Sequence, residues 1–174
     1  MRAMNSKERR ERILNKLLAS KDPKKGQELG EEMGVTRQVI VKDIAILRAE
    51  GNNIIATPDG YIIASAQSNK IKRIIAVSHN ELQMEDELRT IVKYGAMVED
   101  VIVEHPLYGE MRGMLMIKTL KDVENFVERF DKGKAQPLSR LTDGVHMHTV
   151  VADSQEVIDN LLKELAEKGY LACD

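Results

Sequence analysis

Apolar residues recur at helical spacing through the first fifty residues of the chain, with two short breaks. The pattern over residues 5–20 predicts a first helix, which Asn5 or Ser6 can cap. Residues 25–33 predict a short second helix. Gly34 should end it, because a residue without a Cβ readily adopts the left-handed cap conformation.

A third helix is predicted directly after this glycine. Thr36 is placed to cap it and Gly51 to stop it. Ile40, Ile44 and Leu47 fall on one face, which is expected to pack on the first two helices. Three short helices with a glycine-containing turn between the second and the third are the helix-turn-helix pattern.

Two β-rich runs follow the third helix, and they sharpen this interpretation. The runs NIIAT and YIIAS flank the turn sequence PDG, in which Pro58 presets the turn and Gly60 accepts a positive φ. A hairpin at this place makes the module a winged helix-turn-helix, and the spacing of its parts favours DNA binding. The alternative is a three-helix scaffold with a hairpin and no DNA to bind.

The third helix of such a module enters the major groove with its first turn leading. We therefore expect Thr36, Arg37, Gln38 and Lys42 to face DNA. Arginine and glutamine side chains can pair bidentately with guanine and adenine edges, whereas Thr36 and Lys42 suit phosphates. The alternative for each residue is a solvated helix face, and for Thr36 it is the cap role.

A second module is predicted after the small, polar linker SAQSNK, residues 65–70. Its elements alternate in the order β-α-β-β-α-β-β-α, with two strands flanking the turn at Asp143 and Gly144. This order predicts an α+β fold in which helices cover one face of a mostly antiparallel sheet, a two-layer sandwich. The proposed domains are residues 1–66 and residues 70–174.

Charge divides the chain in the same way. Residues 1–64 carry 12 Lys and Arg against 9 Asp and Glu, a net charge of +3, and residues 65–174 carry 14 against 19, a net charge of −5.

A single cysteine, Cys173, excludes a disulfide framework and a cysteine-based zinc site. No apolar run approaches the roughly 20 residues of a membrane span, and the polar N-terminus lacks a signal-peptide pattern, so we expect a cytoplasmic protein without a membrane partner.

All four histidines lie in the second module. His146 and His148 are two apart on a predicted strand, so both point to one face and could share a metal ion. Bare spacing leaves this open, since the polar face of a half-exposed strand gives the same pattern. His79 ends another predicted strand, and Glu87 on the following helix shares a face with apolar residues, which turns it inward.

These residues stand in blocks that resemble the niacin-responsive transcriptional repressors. That family joins a winged helix-turn-helix of the biotin-repressor type to a three-histidine regulatory domain. The resembling blocks are TRQVIVKDIAILRAEGNNIIATPDGY over 36–61, AVSH over 76–79, VIVEHPLYGEMRG over 101–113 and DGVHMHT over 143–149. The resemblance covers nearly the whole chain, and it implies a phosphocarrier-like open-faced α/β sandwich for the second module.

The resemblance also implies the chemistry of the second module. It implies one divalent transition metal, nickel, zinc or iron, held by His79, Glu87, His146 and His148. It implies a repressor of genes for NAD biosynthesis and niacin uptake, with nicotinic acid as a corepressor bound at or near the metal. We expect a homodimer on a palindromic double-stranded operator, since symmetric regulators read symmetric sites.

Two alternatives stay open: a repressor whose signal is the metal ion itself, and a metal-dependent enzyme fused to a DNA-binding module. The chain has no glycine-rich dinucleotide motif, P-loop or nucleophile motif, so we predict that it is not an enzyme.

Three further residues of the block over 101–113 are candidates for contact with the effector: Arg112, Tyr108 and His105. A solvated side chain is the alternative for Arg112, and a structural role at a strand end is the alternative for His105.

Overall fold

The computed structural model describes residues 5–63 and 69–172. They divide between two compact units, with the boundary between Gln67 and Ser68. Most of the predicted linker over 65–70 lies outside the described residues. Each unit has its own hydrophobic core.

The first unit is a winged helix-turn-helix, as the sequence predicts. Its elements are α1 (Ser6–Leu18), α2 (Gly26–Met33), α3 (Arg37–Ala49), β1 (Ile54–Thr57) and β2 (Gly60–Ile63). The two strands pair antiparallel as a hairpin. The predicted inner face of α3 is buried, and it packs in one cluster with Ile13, Leu17 and Leu29 of the first two helices.

Local interactions fix the ends of these helices and the base of the wing. The Asn5 side chain caps α1 by accepting the Glu8 N–H at 2.9 Å. Gly34 ends α2 with a φ of 68°. Thr36 occupies the N-cap position of α3, but its side chain makes no capping hydrogen bond, so the expected cap is only positional. At the wing, a Cβ on Gly60 would lie 2.3 Å from the carbonyl oxygen of Lys24, which requires glycine there.

The second unit is a four-stranded antiparallel sheet with three helices. The strands are β3 (Ile71–Ser78), β4 (Met97–His105), β5 (Gly109–Ile117) and β6 (Val145–Ala152), in the order β3-β6-β4-β5. The helices are α4 (Met84–Lys93), α5 (Leu120–Gly133) and α6 (Gln155–Glu167), with short 3-10 helices at Glu81–Gln83 and Leu138–Thr142. This is the predicted α+β class with a mostly antiparallel sheet.

All three helices of the second unit pack against one face of the sheet. Leu88 of α4, Val123 of α5 and Leu161 of α6 belong to the same core cluster as Val77 and Val150 of the strands. In the antiparallel register Val77 pairs with His146, so the histidine face of β6 is the face that the helices cover. The fold thus turns the histidines of β6 toward α4.

The predicted hairpin around Asp143 and Gly144 is wrong. The residues before the turn form the 3-10 helix Leu138–Thr142, and only the residues after it form a strand. Asp143 has a φ of 51° and ends the 3-10 helix, while the Gly144 N–H donates back to the Ser139 carbonyl at 2.8 Å. The turn signal is real, but it closes a helical turn. Helix α5 ends at its C-cap Lys134, which takes the left-handed conformation.

The pairing of β4 is irregular at Asp100. Its register with β5 shifts between Val98 and Asp100, and its register with β6 shifts between Val98 and Ile102. Opposite this irregularity in β5, Met116 has a φ of 55°, a left-handed conformation that is uncommon outside glycine. A β-bulge of this kind re-aims backbone groups, and here it lies directly beside His148.

Candidate functional site

The residues predicted to contact DNA lie on the exposed side of α3. Thr36, Arg37, Gln38 and Lys42 are all exposed, on the side away from Ile40. The first turn of the helix thus presents a guanidinium and an amide, the two groups that read purine edges in the major groove.

One residue of α3 that sequence analysis did not single out is Asp43. It is only 2% exposed, and its carboxylate lies 2.5 Å from the Arg9 Nε and 3.7 Å from the Arg10 Nη1 of α1. A buried carboxylate needs such partners, because an uncompensated buried charge is strongly destabilising. The pair ties the DNA-facing helix to α1. The signal in the sequence was a lone acid between the apolar positions of an otherwise basic helix.

The second site is a cluster of three histidines and one glutamate. His79 follows the end of β3, Glu87 lies in the first turn of α4, and His146 and His148 project from β6. Strand β6 pairs with β3, which places His146 opposite Val77, two residues before His79. Their side chains are all nearly inaccessible, at 0–4% exposure.

The Glu87 carboxylate lies at the centre of the cluster. Its Oε2 is 2.8 Å from the Nε2 of His79 and 3.7 Å from the Nε2 of His146, and its Oε1 is 3.2 Å from the Nε2 of His148. One donor atom from each of His79, Glu87 and His146 can be chosen so that the three lie within 4.8 Å of one another. The ring of His146 makes edge-to-face contacts with the rings of His79 and His148, and the ring centroids are 4.8 Å apart in both pairs.

Each histidine ring is oriented by a backbone carbonyl at its other nitrogen. The Nδ1 atoms of His79, His146 and His148 lie 2.9, 2.9 and 2.6 Å from the carbonyl oxygens of Asn80, Gly144 and Asp100. A neutral imidazole that donates its Nδ1–H to a carbonyl keeps a lone pair on Nε2. All three Nε2 atoms face Glu87, and each would offer its lone pair to a metal ion once it carries no proton.

Two buried atoms of the cluster lack a hydrogen bond. Glu87 Oε1 and His148 Nε2 lie 3.2 Å apart, yet neither has a partner with hydrogen-bond geometry. Unsatisfied buried polar atoms are rare in proteins and often mark the place of an ion. Three imidazole nitrogens and one carboxylate also form a donor set typical of zinc, nickel or iron. The residues present therefore fit a divalent transition metal.

The electrostatics of the cluster favour an ionised Glu87. Burial alone would raise the pKa of this carboxyl group, but the charge of His148 and the close approach of the three histidine rings hold its pKa well below the usual value. Burial alone would lower the pKa of His79 and of His148, and Glu87 outweighs this, so both pKa values are raised. The raised pKa values of His79 and His148 thus favour the protonated, positively charged form of these two rings beside the buried carboxylate.

Two cavities adjoin the cluster and share His79 and Ser139 as lining residues. The inner cavity, of about 60 Å³, is bounded by the cluster and by apolar side chains. These apolar residues are Met84, Leu88, Val101, Leu115, Phe126, Pro137 and Leu138. The outer cavity, of about 540 Å³, is lined mainly by the loop after β3 and by the segment around the second 3-10 helix, including Glu81, Leu82, Arg140 and Asp143.

The three candidates for effector contact lie elsewhere among the described residues. Arg112 is held by Asp100 at 2.6 Å and by Glu110 at 2.9 Å. Tyr108 is 71% exposed in the turn between β4 and β5. His105 uses its Nδ1 to accept the backbone N–H of the two residues after Pro106, which is the structural role at a strand end. None of the three lines either of these two cavities.

Comparison with known proteins identifies both units. A family described as an HTH domain matches residues 9–62, and one described as a 3H domain matches residues 72–174. The chain is 43% identical to the probable transcription repressor NiaR of Thermotoga maritima over 164 residues, which is 94% of this chain and 93% of the relative. It is 41% identical to the transcription repressor NadR of Bacillus subtilis over 169 residues, 95% of this chain and 94% of the relative. Within the described residues, no helix has the length and apolar character needed to cross a membrane.

Proposed function

The chain belongs to the family of transcription repressors that join an HTH domain to a 3H domain, and from this premise we propose that it represses genes of NAD biosynthesis and niacin uptake in response to nicotinic acid. The observation that carries the proposal is the buried cluster of Glu87 and three histidines beside two cavities. A receptor site of this kind in the unit that does not bind DNA is what a ligand-responsive regulator requires.

DNA binding is assigned to α3. The exposed first turn carries Arg37 and Gln38 for base edges, while Thr36 at the N-cap and Lys42 in the second turn suit phosphates. The ion pair between Asp43 and Arg9 holds this helix on α1, so the reading groups are presented from a fixed support. The net charge of +3 over residues 1–64 adds a favourable, sequence-independent attraction to the DNA backbone.

A single divalent transition metal is assigned to His79, Glu87, His146 and His148. Support comes from the two unsatisfied buried atoms and from the shared Nδ1 orientation of the three rings. When bound, the ion supplies positive charge and open coordination positions for an anionic or nitrogen-bearing ligand. Replacing His146 and His148 together with alanine should abolish metal content in elemental analysis. A double variant that keeps its full metal content would refute the assignment.

Nicotinic acid is assigned to the cavities beside the cluster. Desolvating its carboxylate without a counter-charge costs several kcal/mol, so an anionic effector needs a cation at its site. The decisive experiment measures operator binding by the purified protein with and without nicotinate, before and after chelation. We expect nicotinate to raise operator affinity in the metal-loaded protein only.

The second candidate is a repressor that responds to the metal itself. The cluster of Glu87 and three histidines supports this second function equally, because the same donor atoms would bind a metal ion that acts as the signal. The same experiment separates the two functions. Operator affinity that follows the metal and ignores nicotinate would support the metal as the signal and reject nicotinate as the corepressor.

A further inference from the structure

The two cavities beside the histidine cluster differ in the chemistry of their walls. Apart from the cluster and Ser139, apolar side chains bound the inner cavity, among them Phe126 and Met84. Such walls favour a flat apolar ring, which packs against aromatic and thioether groups. They disfavour a charged group that has left water without a partner. The inner cavity is thus suited to the ring of an effector rather than to its carboxylate.

The outer cavity contains one permanent cation among its described lining residues, Arg140. This arginine lies on the 3-10 helix Leu138–Thr142 and is 58% exposed. Its Nη1 is 3.5 Å from the Glu81 Oε1, at the limit of hydrogen-bond distance. A guanidinium has five N–H donors in a fork that matches a carboxylate, so this one long contact leaves most of them available.

The remaining charges of the outer cavity make Arg140 decisive. Glu81 and Asp143 also line it, and both carry negative charge at neutral pH. A carboxylate would be repelled from this cavity except where the guanidinium offsets these acids. Ser139, which precedes Arg140 in the chain, lines both cavities, so Arg140 lies in the outer cavity next in the chain to a residue of the wall that the two cavities share.

We propose that Arg140 determines specificity by binding the carboxylate of a single-ring aromatic acid whose ring edge enters the inner cavity and faces the cluster. At about 60 Å³ the inner cavity admits only this edge, so the rest of the molecule lies in the outer cavity. This inference rests on the proposed function. It goes further by placing the carboxylate of the effector at the outer cavity and the edge of its ring at the inner one. It defines the ligand class as a small, flat, monocyclic acid. The neutral amide of the same ring should bind more weakly, because it cannot pair with the guanidinium.

Calorimetry on the metal-loaded, full-length protein tests the proposal, with nicotinate and nicotinamide as probes. Arg140→Gln should weaken nicotinate binding about tenfold, since a charged hydrogen bond is lost. It should leave nicotinamide binding unchanged. Arg140→Lys should recover part of the loss. Glu81→Gln removes the competing carboxylate and should strengthen nicotinate binding about threefold. Arg73→Gln, at an exposed position on β3 that lines neither cavity, is the matched control.

A second variant tests the position of the ring. Leu138→Trp fills the inner cavity and should abolish binding of both probes while metal content is retained. Persistent binding of either probe to this variant would overturn the proposal, as would undiminished nicotinate binding by Arg140→Gln. Both results would leave nicotinate as the effector. If the unsubstituted protein binds no nicotinate at all, the proposal and the proposed function fail together.

Discussion

Asp100 shows how one residue can organise a site that it does not enter. Its side chain is fully buried at the bulge in β4, where one carboxylate oxygen accepts the Thr149 N–H at 2.9 Å and the other accepts from Arg112 at 2.6 Å. Its own carbonyl accepts from the Nδ1 of His148 at 2.6 Å. The carboxylate thus holds the backbone segment whose carbonyl sets the orientation of a proposed metal ligand.

Asp100→Asn should therefore weaken metal binding. The oxygen of the new amide can still accept from the Thr149 N–H. Its NH₂ group would then face the Arg112 guanidinium, and two hydrogen-bond donors would oppose each other. We expect the bulge to shift and metal affinity to fall by about tenfold, at the low end of the effect of outer-shell changes. A chelator-competition titration measures the affinity, and NMR of the His148 ring reports its Nδ1 hydrogen bond. Glu99→Gln is the control, since Glu99 pairs with the exposed Lys72. An unchanged affinity and ring signal in the folded variant would contradict the prediction.

Glu164 gives a prediction about pH that is independent of the metal. Its carboxylate lies 2.6 Å from Lys93 and from the Tyr94 hydroxyl, and Lys93 is the main reason that its pKa falls to about 2. A carboxyl group whose pKa is lowered on folding stabilises the protein above its unfolded pKa of about 4.5 and loses that effect as the pH falls toward 2. Glu164→Gln should lower the melting temperature by about 2 °C at pH 7.

The melting difference between this variant and the unsubstituted protein should shrink as the pH falls from about 4.5 to about 2, because Glu164 of the folded protein is about half protonated near pH 2. Calorimetric melting between pH 7 and pH 2 measures this convergence. Glu167→Gln, at an exposed position on the same helix, controls for the loss of one surface charge. A melting difference that stays constant over the whole range would argue against the ion pair with Lys93.

The residues in and around the cluster differ in how far the sequence can predict their positions. Glu87 was predicted to point inward because it shares a helical face with Met84 and Ile91, and it is fully buried. The role of Asp100 could not be predicted, since it depends on register shifts of β4 against β5 and against β6, and β6 is distant in the chain. Arg140 was missed for a related reason. Its place beside His79 follows from the turn at Gly144, which was assigned to a hairpin.

Among the elements, the packing of α3 on α1 decides how the DNA-reading groups are held. The Asp43 carboxylate accepts from Arg9 at 2.5 Å, and Arg9 is only 12% exposed. Asp43→Asn leaves this half-buried guanidinium without its partner and should destabilise the first unit by about 2 kcal/mol. Hydrogen exchange of the α1 and α3 amides measures the loss locally. Glu50→Gln, at the exposed end of the same helix, is the control. Equal protection in the two variants would show that the ion pair does not hold the helix.

The first turn of α3 carries the prediction for specificity. Arg37 is exposed there, so its guanidinium is free to reach a base edge. Arg37→Ala should cost roughly 1–3 kcal/mol of operator binding and relax the preference for one base pair. Arg48→Ala changes an exposed arginine in the last turn and should affect all DNA sequences alike. Fluorescence anisotropy on the operator and on a scrambled duplex measures both. If Arg37→Ala binds the operator as tightly as the parent, the assignment of the reading helix is wrong.

The elements also show where pattern reasoning succeeds and where it fails. The helices of the first unit were predictable because each start and stop is local, as at Asn5 and Gly34. The segment over 137–144 was not, since an Asp-Gly turn serves a hairpin and a 3-10 helix equally. What decides between them is tertiary: a Cβ on Gly144 would lie 2.5 Å from the His79 carbonyl oxygen, so the turn packs against the end of β3.

For the whole molecule, a net charge of −2 conceals two units of opposite character. The net charge of −5 over residues 65–174 makes the second unit a poor partner for phosphates, while that part of the chain contains every histidine. The division of roles was predictable from charge and composition together.

The last prediction concerns the assembly that binds the operator. One α3 presents only a few base-reading groups, too few for a tight specific site, and two-fold symmetric regulators match palindromic operators. We expect a homodimer that contacts half-sites about 34 Å apart, one helical turn, or a multiple of it. Contacts through the acidic second unit would leave the basic first unit free for DNA.

Light scattering at micromolar concentration should give twice the mass of a single chain, which is 19.6 kDa. Inserting about half a turn of DNA between the half-sites should abolish tight binding, and inserting a full turn should restore part of it. A monomer both on and off DNA, or indifference to the spacing, would reject the dimer.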